Sequence, residues 1–336
     1  MIEVSAGIIS RPDGHLLVCQ RGEGRKNAHL WEFPGGKREA GESAADCLRR
    51  ELLEELSLPV RSVRAVYEDE AQGIHFTFLR GETEVEPVPT EHEAVRFLPA
   101  RALLTLPFCP ADTEVARALA LNAPPLRHFF WDFDGTLMDT YPLMVQVLVR
   151  GCGQLGISLT PERALSLMKR TLHDACVVLG EENGLPWQRI AEAYDAEKRR
   201  ADLRTVRPLP GIPGTLAALG ALGGRHYLVT HRARDSALPM LESCGLLPYF
   251  TDLVTGDAGF PRKPAPDSCL YLLRRHGIAP ETAVMIGDRP LDTAAGRAAG
   301  MLSCLLDTEG RFPEDAAELR TEDAGALPGL LCPAPL

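Results

Sequence analysis

The stretch Arg127–Thr140, with the sequence RHFFWDFDGTLMDT, decides the fold of the second half of the chain. An apolar run leads directly into Asp132 and Asp134, and a Gly-Thr pair follows them. This order predicts a buried strand that ends in a loop carrying two carboxylates, because open α/β sheets place their functional groups just beyond the carboxyl ends of their strands.

Downstream of this stretch, candidate strands alternate with candidate helices. The strand-like segments are HFFWDF, HYLVT, DLVTG, AVMIGD and LSCLL. Such alternation predicts a parallel sheet wrapped by helices. The first two segments are separated by about 90 residues of helical character, which is too long for one crossover connection. We therefore expect a separate helical cap over about residues 141–207.

Four short motifs occur in the order DFDGT, VTHR, RKPAPD and GDRPLD. Together they resemble the four motifs of the haloacid dehalogenase (HAD) superfamily, and the second aspartate of the first motif favours a phosphatase over a dehalogenase. The resemblance implies that Asp132 is a nucleophile that forms an aspartyl-phosphate and that Asp134 is the general acid and base. It also implies a phosphate-binding hydroxyl at Thr230 and a counter-charge at Lys263.

The same resemblance implies a Mg²⁺ site in the second half of the chain. Its implied residues are Asp132, Asp134, Asp288 and Asp292, the last as a further ligand or a support. Backbone N–H groups near Gly135 would complete a phosphate cradle.

The helical insertion lies between the first and second motifs. This position resembles the small-cap branch of the superfamily that includes phosphoglycolate phosphatase, in which the cap closes over small phosphomonoesters and excludes water. Unranked cap candidates for substrate contact are Tyr141, Lys169, Arg170 and His173. His231 and Arg232 either contact substrate or are solvated loop residues.

The first hundred residues have a different pattern. A strand pair, EVSAGIIS and HLLVCQR, is joined by the turn RPDG, and later strands are expected at SVRAVYEDE, IHFTFLRG and AVRFL. Ser43 and Asp46 form a capping-box pattern that predicts a helix beginning at Ala44. Glu51, Glu54 and Glu55 lie three and four residues apart on this helix, so their carboxylates can converge.

The segment GGKREAGESAADCLRRELLEELSL resembles the Nudix box, G-x5-E-x7-R-E-U-x-E-E-x-G-U with U aliphatic. The matching residues are Gly36, Glu42, Arg50, Glu51, Leu52, Glu54, Glu55 and Leu58. Ser57 stands where the family has glycine, at a position after the helix that favours a left-handed backbone. We expect this departure to cost about 1 kcal/mol of stability and to leave the chemistry intact.

The Nudix resemblance implies hydrolysis of a nucleoside diphosphate linked to another group, with Mg²⁺ held by Glu51, Glu54 and Glu55 and by the carbonyl of Gly36. Arg50 would orient the glutamates. The base that activates water would come from a later loop. Glu91 is favoured there and Glu93 is the alternative.

The flanking segments LWEFPGGK and LPFCPADTEV resemble the branch that converts nucleoside triphosphates to monophosphates. The resemblance implies that Arg21 and Phe33 line the nucleotide site and that Asp112 faces the base. A carboxylate accepts hydrogen bonds, so Asp112 suits a base edge rich in N–H groups, such as that of cytosine or an oxidised purine. Core packing for Phe33 and a helix N-cap for Asp112 are the structural alternatives.

The chain of 336 residues is long enough for two domains. The segment NAPPL marks the boundary between the two domains, because its two prolines end a helix and restrict the backbone of the linker. We expect an α/β/α Nudix sandwich over residues 1–122, a linker over 123–126 and a Rossmann-like HAD core with an α-helical cap over 127–336.

Composition limits the partners. A net charge of −10 argues against a nucleic-acid-coating protein, and no apolar run approaches the roughly 20 residues of a membrane span. The nine cysteines are scattered, which favours free thiols in a reducing cytoplasm. We expect small-molecule nucleotide and phosphomonoester substrates and Mg²⁺ in both domains, with Mn²⁺ as a substitute. The oligomeric state is not readable.

The leading hypothesis is a bifunctional hydrolase. Its Nudix domain would cleave a nucleoside triphosphate, and its HAD domain would then remove phosphate from the monophosphate or hydrolyse the pyrophosphate. The alternatives are two hydrolases with unrelated substrates, or one domain that serves as a non-catalytic sensing module.

Overall fold

The computed structural model describes residues 2–71, 73–313 and 316–335. The chain forms two compact units. One extends to Pro125 and includes the residues from Cys332 onward, and the other is Leu126–Leu331. Within the described ranges, no helix combines the length and the apolar composition needed to cross a membrane.

The first unit is built on a sheet of seven strands in its described part. These are β1 (Ile2–Ser10), β2 (Leu16–Gln20), β3 (Trp31–Glu32), β4 (Gly35–Lys37), β5 (Arg61–Ala71), β6 (Ile74–Glu82) and β7 (Ala94–Leu98). The order is β3-β2-β1-β6-β5, with β4 paired to β1 and β7 paired to β2. The β1–β6 pair is parallel and the other pairs are antiparallel.

Two helices cover opposite faces of this sheet, α1 (Ala44–Leu56) and α2 (Pro110–Leu121). A short 3-10 helix, Ala100–Thr105, precedes α2. Successive residues of a strand point to opposite faces, and Ile8 accordingly packs in the cluster that includes α2 side chains. Ile9 packs in the cluster that includes α1 side chains. The unit is therefore the α/β/α sandwich expected from the sequence.

The start and the end of α1 are both set by serines. The Ser43 hydroxyl accepts the Asp46 N–H at 3.1 Å, which places the first helical residue at Ala44 as predicted. Ser57 ends the helix in the left-handed region, with φ 50° and ψ 35°. The residue that departs from the family pattern thus adopts the conformation that glycine adopts with less strain.

The second unit contains a sheet in which every strand pair is parallel. Its strands are β8 (His128–Trp131), β9 (Arg225–Val229), β10 (Phe250–Val254), β11 (Ala283–Gly287), β12 (Leu302–Leu306) and β13 (Leu319–Thr321). The order is β10-β9-β8-β11-β12-β13. The helices that accompany this sheet are α7 (Ile212–Ala221), α8 (Arg234–Ser243), α9 (Asp267–His276), α10 (Pro290–Ala298) and α11 (Leu327–Leu331).

Between β8 and β9 the chain forms a helical cap with its own core. The cap helices are α3 (Tyr141–Gln154), α4 (Pro161–Met168), α5 (Leu172–Asn183) and α6 (Trp187–Lys198). Leu148, Cys152 and Ala175 are buried at the centre of this cluster. The Rossmann-like core with a helical cap matches the predicted fold class.

Candidate active sites

The central strands of the second unit bring acidic side chains to one edge of the sheet. β8 ends at Trp131, so Asp132 and Asp134 lie in the loop that follows it. Asp288 follows β11, and Asp292 lies in the first turn of α10. Oxygen atoms of Asp132, Asp288 and Asp292 lie within 4.8 Å of one another, and all three residues are buried.

Lys263 neutralises part of this charge. Its Nζ donates to Asp132 Oδ1 at 2.6 Å and to the carbonyl of Val229 at 2.9 Å, and it lies 2.6 Å from Asp292 Oδ1. Burial acts to lower the pKa of Lys263, but the carboxylates of Asp132 and Asp292 raise it above its ordinary value. The lysine is therefore a buried cation with carboxylate and carbonyl partners.

The acidic cluster fits a divalent cation. Asp132 Oδ2 and Asp288 Oδ1 are buried without a hydrogen-bond partner among the described residues, and a buried polar oxygen left in that state is costly. Carboxylate oxygens are the ligands that Mg²⁺ prefers. Burial raises the pKa of Asp288 to about 7, against the lowering effect of Arg289.

Arg289 is a site residue that the sequence reasoning missed. Its Nη2 lies 3.8 Å from Asp132 Oδ2, and its Nε lies 3.7 Å from Asp288 Oδ1. The signal was present in the GDRPLD motif, where this arginine directly follows Asp288. Its charge faces the same cluster as Lys263.

Gly135 lets the first loop pass close to the acids. Its φ is +76°, and a Cβ at this position would lie 2.5 Å from Asp288 Oδ2 and 2.4 Å from the Tyr141 ring. No other residue fits without displacing both neighbours. The close approach keeps the loop backbone beside the carboxylates, and the Gly135 N–H donates to the Met138 carbonyl at 2.9 Å.

The second aspartate of the loop is held by an arginine. The Nε of Arg232 donates to Asp134 Oδ1 at 3.0 Å and to Oδ2 at 3.3 Å, and Nη2 also donates to Oδ1. Burial acts to raise the pKa of Asp134, but the ion pair with Arg232 lowers it below its ordinary value. The structure therefore places Arg232 in the site, rather than on a solvated loop.

The rest of the VTHR segment holds the loops together. The Thr230 hydroxyl oxygen accepts the Arg232 N–H at 3.0 Å, which leaves its own proton free to donate. The His231 Nε2 accepts the backbone N–H of Lys263 at 2.7 Å. Burial lowers the pKa of His231 to about 4, and the charge of Lys263 adds to this effect. The neutral ring is consistent with its role as an acceptor.

Two of the four cap candidates reach the acids. The Tyr141 hydroxyl donates to Asp288 Oδ2 at 3.0 Å. The Lys169 Nζ lies 3.4 Å from the same oxygen and 4.1 Å from the centre of the Tyr141 ring. By contrast, Arg170 is exposed, and His173 packs edge-on against Trp187 with their ring centres 4.8 Å apart.

In the first unit, Arg50 forms hydrogen bonds with carboxylates of α1 and of the loop that precedes it. It donates to Glu42 Oε1 at 2.9 Å, to Glu51 Oε1 at 2.8 Å and to Glu54 Oε2 at 3.3 Å. Its Nη2 also donates to the Lys37 carbonyl at 3.1 Å. The bonds from Arg50 lower the pKa of Glu42 to about 2. This arginine therefore fixes the orientation of the acidic face.

Gly36 and Glu55 complete the acidic face. A Cβ at Gly36 would lie 2.3 Å from the Glu51 carboxylate, so a larger residue would have to displace that carboxylate. Burial raises the pKa of Glu55 to about 7, while His92 acts to lower it. The His92 Nε2 lies 3.9 Å from Glu55 and 3.6 Å from Glu32. The sequence reasoning missed His92 and Glu32.

The two candidate bases lie in the same loop, and each carboxylate contacts a basic side chain. Glu91 forms an ion pair with Arg25, and Glu93 accepts from the His29 Nδ1 at 2.7 Å. The two side chains are exposed to similar extents, 48% and 46%.

The residues expected at the nucleotide face are mostly buried. Phe33 is 3% exposed and packs against Phe78 and Phe108. Its backbone N–H donates to Asp112 Oδ1 at 3.2 Å, and burial raises the pKa of Asp112 to about 8. Arg21 forms an ion pair with Glu32. The contacts of Phe33 are therefore those of a core residue.

Comparison with known proteins finds two families along the chain. Residues 129–306 match the family described as "Haloacid dehalogenase-like hydrolase". Residues 1–119 match the family described as "NUDIX domain". The first match spans more than half of the chain, and the two matches do not overlap.

Individual relatives match between about half and two thirds of the chain. A plasmid-encoded phosphoglycolate phosphatase of Cupriavidus necator is 31% identical over 237 residues, which cover 65% of this chain and 98% of the relative. A phosphoglycolate phosphatase of Thiobacillus denitrificans is 33% identical over 190 residues, covering 52% and 81%. The crystal structure of a "predicted phosphoglycolate phosphatase" from Haemophilus somnus 129pt shares the fold, with a TM-score of 0.53, 18% identity and coverage of 60% and 96%.

These matches agree with the arrangement of side chains. The buried acids and Lys263 lie in the part of the chain that the first family covers, and the acidic face of α1 lies in the part that the second covers. The chain therefore belongs to the haloacid dehalogenase-like hydrolases and carries a NUDIX domain on the amino-terminal side of that unit.

Proposed function

We propose that the second unit is a metal-dependent phosphatase for small phosphomonoesters. The observation that carries this proposal is the buried set of Asp132, Asp288 and Asp292, in which Lys263 pairs with the first and the last. Asp132, Asp288 and Asp292 would hold Mg²⁺ or Mn²⁺. When bound, the ion would neutralise the phosphate and make its phosphorus more electrophilic.

The side chains of this unit divide the reaction between them. The Asp132 carboxylate attacks phosphorus and forms an aspartyl-phosphate as the ester P–O bond breaks. Asp134 gives its proton to the leaving alkoxide and then takes a proton from the water that attacks the intermediate. Orthophosphate leaves and Asp132 regains its carboxylate. Lys263 balances the negative charge, while Thr230 and the backbone near Gly135 hold the phosphate.

The cap supports a small substrate. Tyr141 and Lys169 reach the acidic cluster from the cap side, so a closed cap leaves little space above it. Relatives whose matches cover 65% and 52% of this chain are named phosphoglycolate phosphatases. We therefore place phosphoglycolate among the candidate substrates.

For the first unit, we propose hydrolysis of a nucleoside triphosphate to monophosphate and pyrophosphate. Glu51, Glu54 and Glu55 lie on one helix beside Gly36, and these oxygen donors suit Mg²⁺. Arg50 holds Glu51 and Glu54 in place. A glutamate of the following loop, Glu91 before Glu93, would activate water.

The two reactions together would make the chain a bifunctional hydrolase. Phosphate removal after triphosphate cleavage would draw the first reaction forward, whether the second unit takes the monophosphate or the pyrophosphate. The names of the relatives favour a second candidate, in which the two sites act on unrelated substrates.

The substitution Asp132→Asn separates these candidates. It keeps the volume of the side chain but removes the nucleophile, so the aspartyl-phosphate cannot form. With its preferred triphosphate, the unsubstituted protein should release orthophosphate, and the variant should stop at monophosphate and pyrophosphate with an undiminished first step. Product analysis by chromatography, together with a phosphate assay, measures both outcomes.

Identical products from both proteins with every triphosphate would contradict sequential action. Hydrolysis of phosphoglycolate by the unsubstituted protein, lost in Asp132→Asn, would then support the phosphatase with an unrelated substrate. If no phosphomonoester or pyrophosphate is hydrolysed, the phosphatase proposal fails.

A further inference from the structure

Asp134 is the group that must transfer a proton in the proposed reaction, and its carboxylate is bound in an ion pair with Arg232. Both oxygens of Asp134 accept hydrogen bonds from the guanidinium. An oxygen engaged in this way is not available to donate to a leaving group. For the proposed phosphatase to work, Arg232 has to exchange Asp134 for another partner.

The surroundings of Arg232 limit what that partner can be. Its side chain is 7% exposed. Met144 Sδ lies 3.6 Å from Nη2, and the Phe133 ring centre lies 5.4 Å from the guanidinium carbon. Among the described residues, Nη1 has no hydrogen-bond acceptor. No second carboxylate of the protein is paired with this guanidinium in the described part of the chain, so a replacement for Asp134 has to come from the substrate.

The main chain of Arg232 is held by hydrogen bonds that do not involve the guanidinium or Asp134. Its N–H donates to Thr230 Oγ1 at 3.0 Å, and its carbonyl accepts the Gly256 N–H at 2.8 Å. The side chain lines a cavity of about 10 Å³, together with Thr140, Leu143 and Tyr194. This volume is about what one water molecule needs, so little free space adjoins the arginine side chain on this side.

We infer that Arg232 is a specificity-determining residue. When substrate binds, its guanidinium releases Asp134 and binds a carboxylate on the alcohol part of the phosphomonoester. This inference rests on the proposed phosphatase function. A planar guanidinium binds carboxylates in a two-point geometry, so a substrate carboxylate can replace that of Asp134 with little loss. The freed Asp134 carboxylate then takes up a proton from solvent and can donate it to the leaving alkoxide.

The reach of the arginine fits a short substrate. Asp134 has to contact the ester oxygen, and a carboxylate carbon two bonds from that oxygen lies only about 2.4 Å away from it by ordinary bond geometry. The guanidinium already lies within hydrogen-bond distance of Asp134. A carboxylate attached through one methylene group therefore comes within reach of Nη1, whereas a neutral alkyl group offers nothing to displace Asp134.

The test compares two substrates of nearly equal size in the full-length protein with Mg²⁺. 2-Phosphoglycolate carries the carboxylate, and ethyl phosphate replaces it with a methyl group. A charge-assisted two-point contact predicts a kcat/KM ratio of about 10² in favour of 2-phosphoglycolate. In Arg232→Met the ratio should fall to within about threefold of one, and in Arg232→Lys it should be intermediate.

Arg234→Met is the matched control, because Arg234 is an exposed arginine two residues further along the same segment. It should keep the ratio of the unsubstituted protein. Glycolate should inhibit ethyl phosphate hydrolysis by the unsubstituted protein, and this inhibition should weaken at least tenfold in Arg232→Lys. If Arg232→Met does not fold, the inhibition by glycolate in Arg232→Lys tests whether Arg232 binds the substrate carboxylate.

An unchanged substrate ratio in both Arg232 variants, with ethyl phosphate still hydrolysed, would overturn the role of Arg232 and leave the phosphatase proposal intact. A ratio near one in the unsubstituted protein would do the same. If neither substrate is hydrolysed by the unsubstituted protein while other phosphomonoesters are, the carboxylate specificity is wrong. Complete absence of phosphatase activity would instead remove the proposed function on which the inference rests.

Discussion

At the residue scale, Ser57 shows how a single departure from a family pattern is accommodated. Its backbone lies in the left-handed region, and its N–H bonds to the Leu53 carbonyl at 3.1 Å. Ser57→Gly should raise the free energy of unfolding of the first unit by about 0.5–1 kcal/mol, because glycine adopts this conformation without strain. Urea denaturation measures the change.

Ser57→Ala is the comparison for this substitution. Alanine keeps a Cβ at the same positive φ and should give no gain. Turnover of the nucleotide should stay within about twofold in both variants, since the hydroxyl is not placed among the metal ligands. A loss of stability in Ser57→Gly would show that the serine side chain itself supports the helix end.

Asp112 carries a buried carboxyl group whose pKa is raised to about 8 by burial. A carboxyl group with a raised pKa in the folded protein binds its proton more tightly there than in the unfolded chain. Its contribution to stability is therefore full below about pH 4 and is lost as the pH rises toward 8. Asp112→Asn should remove this part of the pH dependence, because the amide does not titrate.

Urea unfolding at pH 5 and pH 8 measures the effect for both proteins. The difference in unfolding free energy between the two pH values should be smaller in Asp112→Asn. The amide oxygen can still accept the Phe33 N–H, so the helix and the adjoining strand keep their link. Equal pH dependence in the two proteins would show that Asp112 is ionised in the folded state.

At the scale of secondary-structure elements, α1 presents its carboxylates because a helix brings residues three and four apart to one face. Glu54→Gln keeps the shape of the side chain but removes a metal-binding charge. Nucleotide cleavage should fall by orders of magnitude, while phosphatase turnover stays within a few-fold. Parallel assays of both reactions on the same preparation give the result.

Glu114→Gln serves as the control for Glu54→Gln, because Glu114 is an exposed glutamate on the other helix of the same unit. It should leave both reactions unchanged. Undiminished triphosphate cleavage in Glu54→Gln would contradict the assignment of α1 as a metal-binding helix.

At the scale of the whole molecule, each unit contains buried apolar clusters built from its own residues. The clusters around the first sheet contain residues before Asn122. Those of the second sheet and the cap contain residues after Leu126. A domain with its own core can fold alone. We therefore propose that residues 1–122 and 127–336 are separate folding domains joined by residues 123–126.

A fragment ending at Asn122 and a fragment beginning at Leu126 should each unfold in one cooperative transition, followed by circular dichroism. The residues from Cys332 onward group with the first unit, so the first fragment should lose some stability relative to the same unit in the whole chain. If neither fragment is soluble, the proposed domain boundaries are wrong.

The amino-acid sequence was enough to predict the fold class, the two families and a hydrolase with a phosphatase unit, and the comparisons confirm these predictions. It also predicted the start of α1 at Ala44 and the strand AVRFL, which is β7. These features depend on hydrogen bonds and side-chain periodicity within a few residues, which a sequence displays directly. The short strands β3, β4 and β13 were missed, because strands of two or three residues show no periodicity.

Only the tertiary structure decided which side chains meet. Arg232 is 98 positions from Asp134, Lys263 is 131 positions from Asp132, and Tyr141 is 147 positions from Asp288. The family resemblance assigned a counter-charge to Lys263, but it did not indicate that Arg232 binds the acid or that Arg289 faces the cluster. The physical reason is that these contacts follow from the strand order β9-β8-β11 and from the cap above it, and local sequence encodes neither.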